Sequence, residues 1–314
     1  MQNTDLRPLG AGELLDRAVT LYVRRFVVIV SALAIVVIPL LVVDVLFSPS
    51  SLRVSEDLMG LLQAGGNPAK VRAATAAMAR DSHWTGSLLA LTLGSIVVRL
   101  VMWNALLAVI ASAYAGARTG LPEAYALAVR RWLPQLAVLM VWIVLGLIVA
   151  VPLVLLYVLI ILAVIAVAFA HVTVLTVLVG LVLGLGFLAL AVTVFAWVMM
   201  TYELATVAVV TETGNPIHAA ETALRRGFAP TMRRRTVVGG LVLIVVLYGG
   251  SIPAAALGAI AAALTHQPLL NVAASGVASI VLEGLIAAFV VVFATDVRVR
   301  REGLDLAILA QGTP

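Results

Sequence analysis

Apolar residues run along this chain in blocks far longer than a buried strand or a surface helix needs, and polar residues gather between them. A bilayer crossing takes about 20 mostly apolar residues. Six blocks meet that length: Phe26–Phe47, Gly86–Ala113, Leu133 to about Ile160, about Val174 to Ala208, Val237–Leu264 and Leu269–Thr295. The pattern predicts an all-α, polytopic membrane fold with six spanning helices. From Leu133 to Val210 only His171 and Glu203 can carry charge near neutral pH, so length alone places the turn between spans three and four, near Phe169–Thr173.

A second periodicity overlies the first. Three times a short amphipathic stretch ends in paired arginines beside an aromatic, and a long apolar run broken by one proline follows. The stretches are Glu13–Phe26 with Arg24 and Arg25, Pro122–Trp132 with Arg130 and Arg131, and Pro216–Phe228 with Arg225 and Arg226. The prolines are Pro39, Pro152 and Pro253, each expected to kink its span by removing a backbone donor and crowding the preceding turn. Self-similarity at such a spacing marks one supersecondary unit used repeatedly. It predicts a single membrane domain over 1–314 made of three hairpins, each led by an interfacial amphipathic helix. The repeats run from about 10 to 115, 120 to 210 and 215 to 296, with a tail at 297–314. Leu14, Leu15, Ala18, Leu21 and Tyr22 share one helical face in the first stretch, and Asn215-Pro216 supplies a cap and a first-turn proline to the third. In the Ser48–Thr85 loop, Ser55-Glu56-Asp57 reads as a helix start, Gly65-Gly66 as a stop, and Asn67-Pro68 as the start of a second helix to about Arg80.

Composition agrees with lipid as the solvent: 63% of residues are hydrophobic and 11% charged, against about 45–50% and about 25% in soluble domains. The charges are unevenly placed. Fifteen basic residues lie before span one, between spans two and three, between spans four and five, and after span six, whereas four (Arg53, Lys70, Arg72, Arg80) lie in the Ser48–Thr85 loop. The positive-inside rule then predicts cytoplasmic N and C termini. Nineteen of the twenty basic residues are Arg, and with so much Ala, Val and Leu the usage fits a GC-rich bacterial genome, hence a bacterial inner membrane. The net charge of +5 needs no nucleic acid. Arg24, Arg25, Arg130, Arg131, Arg225, Arg226, Arg298, Arg300 and Arg301 are expected to meet anionic headgroups, worth about 1 kcal/mol each near the surface, or a protein partner. The first apolar run follows 25 residues of charged, amphipathic sequence and is read as a span rather than a cleaved signal.

Charges inside a span are expensive and mark candidate function. Arg99 lies 13 residues after Gly86, and Glu283 lies 14 after Leu269. At 1.5 Å per residue both reach about 20 Å from the outer face. Equal depth and opposite sign predict an Arg99–Glu283 ion pair, either a clamp between hairpins or a ligand- or proton-coupled site. Asn104 is expected to donate across helices and Glu203 to reach the cytoplasmic interface. The four histidines show no ligand spacing, so no metal or cofactor is expected. With no cysteine there is no thiol chemistry, and phosphate-loop, GxSxG, HExxH and DxD patterns are missing.

The opening Leu6-Arg7-Pro8-Leu9-Gly10, Glu13-Leu14-Leu15-Asp16-Arg17-Ala18 and Tyr22, then Glu212 with Ala223-Leu224-Arg225-Arg226, and above all Asp296-Val297-Arg298-Val299-Arg300-Arg301-Glu302-Gly303-Leu304-Asp305-Leu306, resemble a known family. It is the integral-membrane domain appended to some bacterial glycerophosphodiester phosphodiesterases, also found alone in uncharacterised proteins. The resemblance implies a six-span bundle and not the phosphodiesterase reaction, which belongs to a separate barrel with a His-Arg motif; no histidine here precedes an arginine. Relatives tend to carry Ser where this chain has Gly227. The leading expectation is a non-enzymatic membrane scaffold or assembly component. The alternative is a transporter or lipid-handling protein with a cavity near Arg99 and Glu283.

Overall fold

In hydrocarbon a backbone must satisfy its own hydrogen bonds, and the apolar blocks do so as helices. The computed structural model describes residues 9–47, 72, 86–117, 119–169, 173–212, 215–265 and 269–302. Among them are eight helices and no strand: α1 Ala11–Arg24, α2 Phe26–Phe47, α3 Gly86–Tyr114, α4 Leu121–Phe169, α5 Thr173–Thr211, α6 Pro216–Phe228, α7 Pro230–Thr265 and α8 Leu269–Glu302. Six of these (α2, α3, α4, α5, α7 and α8) are long and apolar enough to cross a bilayer. The two helices expected in the Ser48–Thr85 loop lie outside the described residues.

The helix starts follow local chemistry. The Gly10 N–H donates to Glu13 Oε2 at 2.8 Å, and the Gly120 N–H to Glu123 Oε2 at 3.3 Å. Asn215 Oδ1 accepts from the N–H groups of Ile217 and His218 at the start of α6. Arg25 breaks α1 from α2, and Ala229 breaks α6 from α7. Ala229 precedes Pro230, whose ring disfavours a helical residue before it. The second arginine-ended stretch differs from expectation: Pro122–Trp132 is not a separate helix but the first turns of α4. Pro134 stands two residues after Trp132, as Pro230 does after Phe228, yet it is absorbed into the continuous helix. Pro39, Pro152 and Pro253 likewise sit inside continuous helices.

Contacts divide the chain into two compact units. In the first, made of Leu9–Trp132 and Val245–Val292, α2 buries Ile29, Ala32, Leu33 and Val37, while α3 buries an unbroken run from Ala105 to Ile110. The Tyr125 hydroxyl donates to the Ala32 carbonyl at 2.6 Å, tying the start of α4 to α2. A side chain at Gly284 of α8 would strike Ile29 and Tyr22, so glycine there lets α8 approach α1 and α2 closely.

The second unit comprises Leu133–Ile244 and Phe293–Pro314. Trp142 Nε1 donates to the Val198 carbonyl at 3.1 Å and Trp197 Nε1 to the Gly227 carbonyl at 3.2 Å. A Cβ at Gly240 of α7 would collide with the backbone carbonyl of Ala196 on α5. Backbone cannot rotate aside, so Gly240→Ala must push α5 and α7 away from each other. Overpacking costs about 1–3 kcal/mol, sometimes more, and this contact belongs at the upper end. Thermal unfolding in detergent should show a clear loss for Gly240→Ala and little for Gly184→Ala, whose surroundings are open.

Beyond about Leu147 the hairpin of α4 and α5 is exposed on most sides, with Tyr157 stacked on Phe187 at 5.2 Å. Helix α4 runs nine residues past the expected span end at Ile160. From Leu133 to Phe169 it is roughly 55 Å long, well above the bilayer core of about 30 Å.

Candidate functional site

Arg99 on α3 and Glu283 on α8 stand side by side in the first unit, with Nη1 and Oε1 3.8 Å apart. That distance is an ion pair but too long for a hydrogen bond. Glu283 Oε1 takes its hydrogen bond from Ser279, one turn earlier on α8, at 2.5 Å. Its other oxygen, Oε2, is buried and accepts none. The two side chains differ sharply in access: Arg99 is 57% exposed and Glu283 21%. A carboxylate anchored inside thus holds a guanidinium that opens outward from a membrane-spanning segment.

Other polar residues of the first unit lie close along these helices. Asn104, five residues after Arg99, is buried, and neither amide atom has a hydrogen-bond partner. The cross-helix bond expected for it is not formed; its neighbours Met102 and Ala105 to Ile110 are buried apolar groups. Tyr22 of α1 packs against Gly284, next to Glu283, with its hydroxyl buried and unpartnered; burial pushes this phenol's pKa up, so it stays neutral.

The second unit builds its ion pairs differently. Arg226 of α6 grips Glu212, just past α5, through two parallel bonds of 2.8 and 2.9 Å, and Arg298 of α8 approaches the same carboxylate at 3.5 Å. Arg226 is only 5% exposed. Asp296 of α8, fully buried, lies 3.0 Å from Arg235 of α7 and 3.1 Å from Arg300 one turn on. The Arg301 guanidinium donates to the Arg225 carbonyl at the end of α6. Two carboxylates and their arginines therefore bind the ends of α5, α6, α7 and α8 to one another.

This clamp was missed as a unit, although signals existed. Arg226 follows Ala219 by seven residues and Ala223 by three, the stripe that α6 buries, and Asp296 and Arg300 have i,i+4 spacing. The arginines proposed for headgroup or partner contact thus fall into two groups. Arg226 is buried on Glu212, and Arg298 and Arg300 are held by the clamp, whereas Arg301 reaches only the Arg225 carbonyl and is exposed. Arg24 and Arg130 in the first unit and Arg225 in the second are exposed, and Arg25 and Arg131 are half-buried. Glu203, expected at the interface, is buried and accepts from the Thr206 hydroxyl at 3.3 Å. Its segment, Leu204 to Val210, is buried throughout. At Gly227 a side chain would run into the Thr201 methyl group, so this chain has no space for the serine of the resembling family.

No family model matches this chain, and no curated protein or solved structure matches it either. The fold defines a class: the described residues are helical, with six helices long and apolar enough to cross a bilayer, the make-up of a multi-pass membrane protein.

Proposed function

We propose that this is a non-enzymatic, multi-pass protein of a bacterial inner membrane, with both termini cytoplasmic, that handles an anionic amphiphile. Arg99 would hold the anionic group and Glu283 would position the guanidinium. The observation that carries this reading is the contrast between the two kinds of ion pair. Structural pairs in this chain are tight and closed, as Asp296 and Arg226 are. The Arg99–Glu283 pair is long and open. An arginine at the centre of a span costs about 2.5–3.5 kcal/mol on insertion scales, and an exposed one keeps that cost unless an anion or water meets it. A phosphate or carboxylate headgroup fits a planar, forked guanidinium, and an acyl chain suits the apolar surface around it, where Leu93 and Ile96 are exposed.

The chain has no cysteine, so Arg99→Cys creates one addressable thiol. In proteoliposomes it should react with a membrane-impermeant, cationic thiosulfonate, and wild type, but not Arg99→Cys, should bind an alkyl phosphate. Ala108→Cys, on the buried face of α3, should stay unlabelled. Failure of Arg99→Cys to react would mean that no polar group reaches the site, and the reading would fail.

The scaffold reading keeps one specific support. The Glu212 and Asp296 clamp fixes four helix ends, which suits a rigid platform for a protein partner. The resemblance to the phosphodiesterase-associated membrane domain bears on the same place, since Glu212, Arg225, Arg226, Asp296, Arg298, Arg300 and Arg301 all carry it.

A further inference from the structure

Once Arg226 is fixed on Glu212, the rest of α6 has no freedom about its axis. Ala219, Ala220, Ala223 and Gly227 turn inward with Arg226. Ile217, Arg225 and Phe228 turn outward, Arg225 with 76% of its side chain exposed. Phe228 is steadied by the edge of Trp197, 4.5 Å between ring centroids. One residue later α7 begins, and its first turns expose Arg233 and Arg234. Neither makes an ion pair among the described residues. Arg301, exposed at the end of α8, is joined to this corner by its bond to the Arg225 carbonyl. Glu221, bonded to Arg225 at 2.6 Å, is the one acidic side chain in a described ion pair at this corner.

Four arginines, one carboxylate and two large exposed apolar side chains thus lie along α6 and the helix ends next to it in the second unit. A soluble acidic partner would be met by the charge alone. The apolar pair points to a lipid surface, because side chains such as Phe228 and Ile217 seat in the acyl boundary while neighbouring arginines reach phosphates. We infer that Arg225, Arg233, Arg234 and Arg301, flanked by Ile217 and Phe228, form a docking surface for anionic lipid headgroups, distinct from the arginines locked in the clamp. Selectivity follows from the excess positive charge: a net-neutral zwitterionic headgroup gains less here than a singly anionic one. At about 1 kcal/mol per arginine near the surface, each contributes roughly fivefold in affinity.

The test uses the full chain purified in neutral detergent and native mass spectrometry with phosphatidylglycerol or phosphatidylcholine of the same acyl chains. Wild type should prefer phosphatidylglycerol. The triple variant Arg225→Gln/Arg233→Gln/Arg234→Gln should lose at least tenfold of that preference, and the matching triple lysine variant should keep most of it. Both are also made in an Arg99→Ala background; persistence of the loss there separates this surface from the intramembrane site. The inference is overturned if wild type takes both lipids equally, or if the glutamine triple keeps its preference. It is also overturned if the lysine triple, which preserves charge and reports on folding, loses as much. Loss of an acidic co-purifying protein with lipid preference intact would replace the lipid by a protein partner.

Discussion

Asp296→Ala is expected to lower the stability of the protein by about 3–5 kcal/mol, the usual result of removing one partner from a buried ion pair. The loss arises mainly from what remains. Arg235 and Arg300 both lean on this carboxylate, which has no exposed surface of its own. Without it, two guanidinium groups face each other across α7 and α8 with nothing between them. Asp296→Asn retains the shape and an acceptor oxygen but no charge, so it should fall between wild type and alanine. Glu212→Ala should also be costly, because it leaves Arg226, only 5% exposed, without its carboxylate, although Arg298 can turn to water. Unfolding followed by intrinsic tryptophan fluorescence in detergent would rank the variants. A melting temperature for Asp296→Ala within about a degree of wild type would mean that the clamp contributes nothing, and the contrast with Arg99–Glu283 would lose its force.

Much of the fold was legible in the sequence because lipid imposes a simple length rule. Helix α2 occupies the residues that the apolar block marks, Phe26–Phe47, and helices α4 and α5 end and begin at Phe169 and Thr173, where length alone set the turn. Depth counting also brought Arg99 to Glu283, since rise per residue is fixed in a helix and both spans start from one side. What the sequence hid was rotation and continuity. Arg225 and Arg226 are equivalent as letters, yet about 100° on a helix separates a side chain that is 76% exposed from one that is 5% exposed. The residues that decide this are small alanines whose stripe is weak in any hydropathy scale. The paired arginines hid the continuity of α4: Arg130, Arg131 and Trp132 look like a boundary, but the helix runs on through Pro134. The length of the α4–α5 hairpin was hidden as well. Length sets the turn near Phe169–Thr173, but a span cut at the usual length stops at Ile160, nine residues short of the end of α4.

Arg99→Glu should be the most damaging single change in the first unit. It sets a second carboxylate within about 4 Å of Glu283, where two such groups cannot both ionise, and it removes the cation that Glu283 faces. Yield and melting temperature should both fall, and any binding of an alkyl phosphate should vanish. The double variant Arg99→Glu/Glu283→Arg restores one charge of each sign, with donor and acceptor exchanged between α3 and α8. If the pair matters to folding, the double variant should recover stability beyond the sum of the two single changes, with a coupling of about 0.5–3 kcal/mol. The amphiphile reading requires more: the exchanged guanidinium would sit on α8, on the more buried side of the pair, and should bind the alkyl phosphate poorly although the protein is folded. Recovery of both stability and alkyl phosphate binding would show that any arginine at that depth serves, which favours a clamp beside a passive headgroup. Single variants as stable as wild type would remove the ion pair from the account altogether, leaving Arg99 a lone cation whose exposure only an external anion explains.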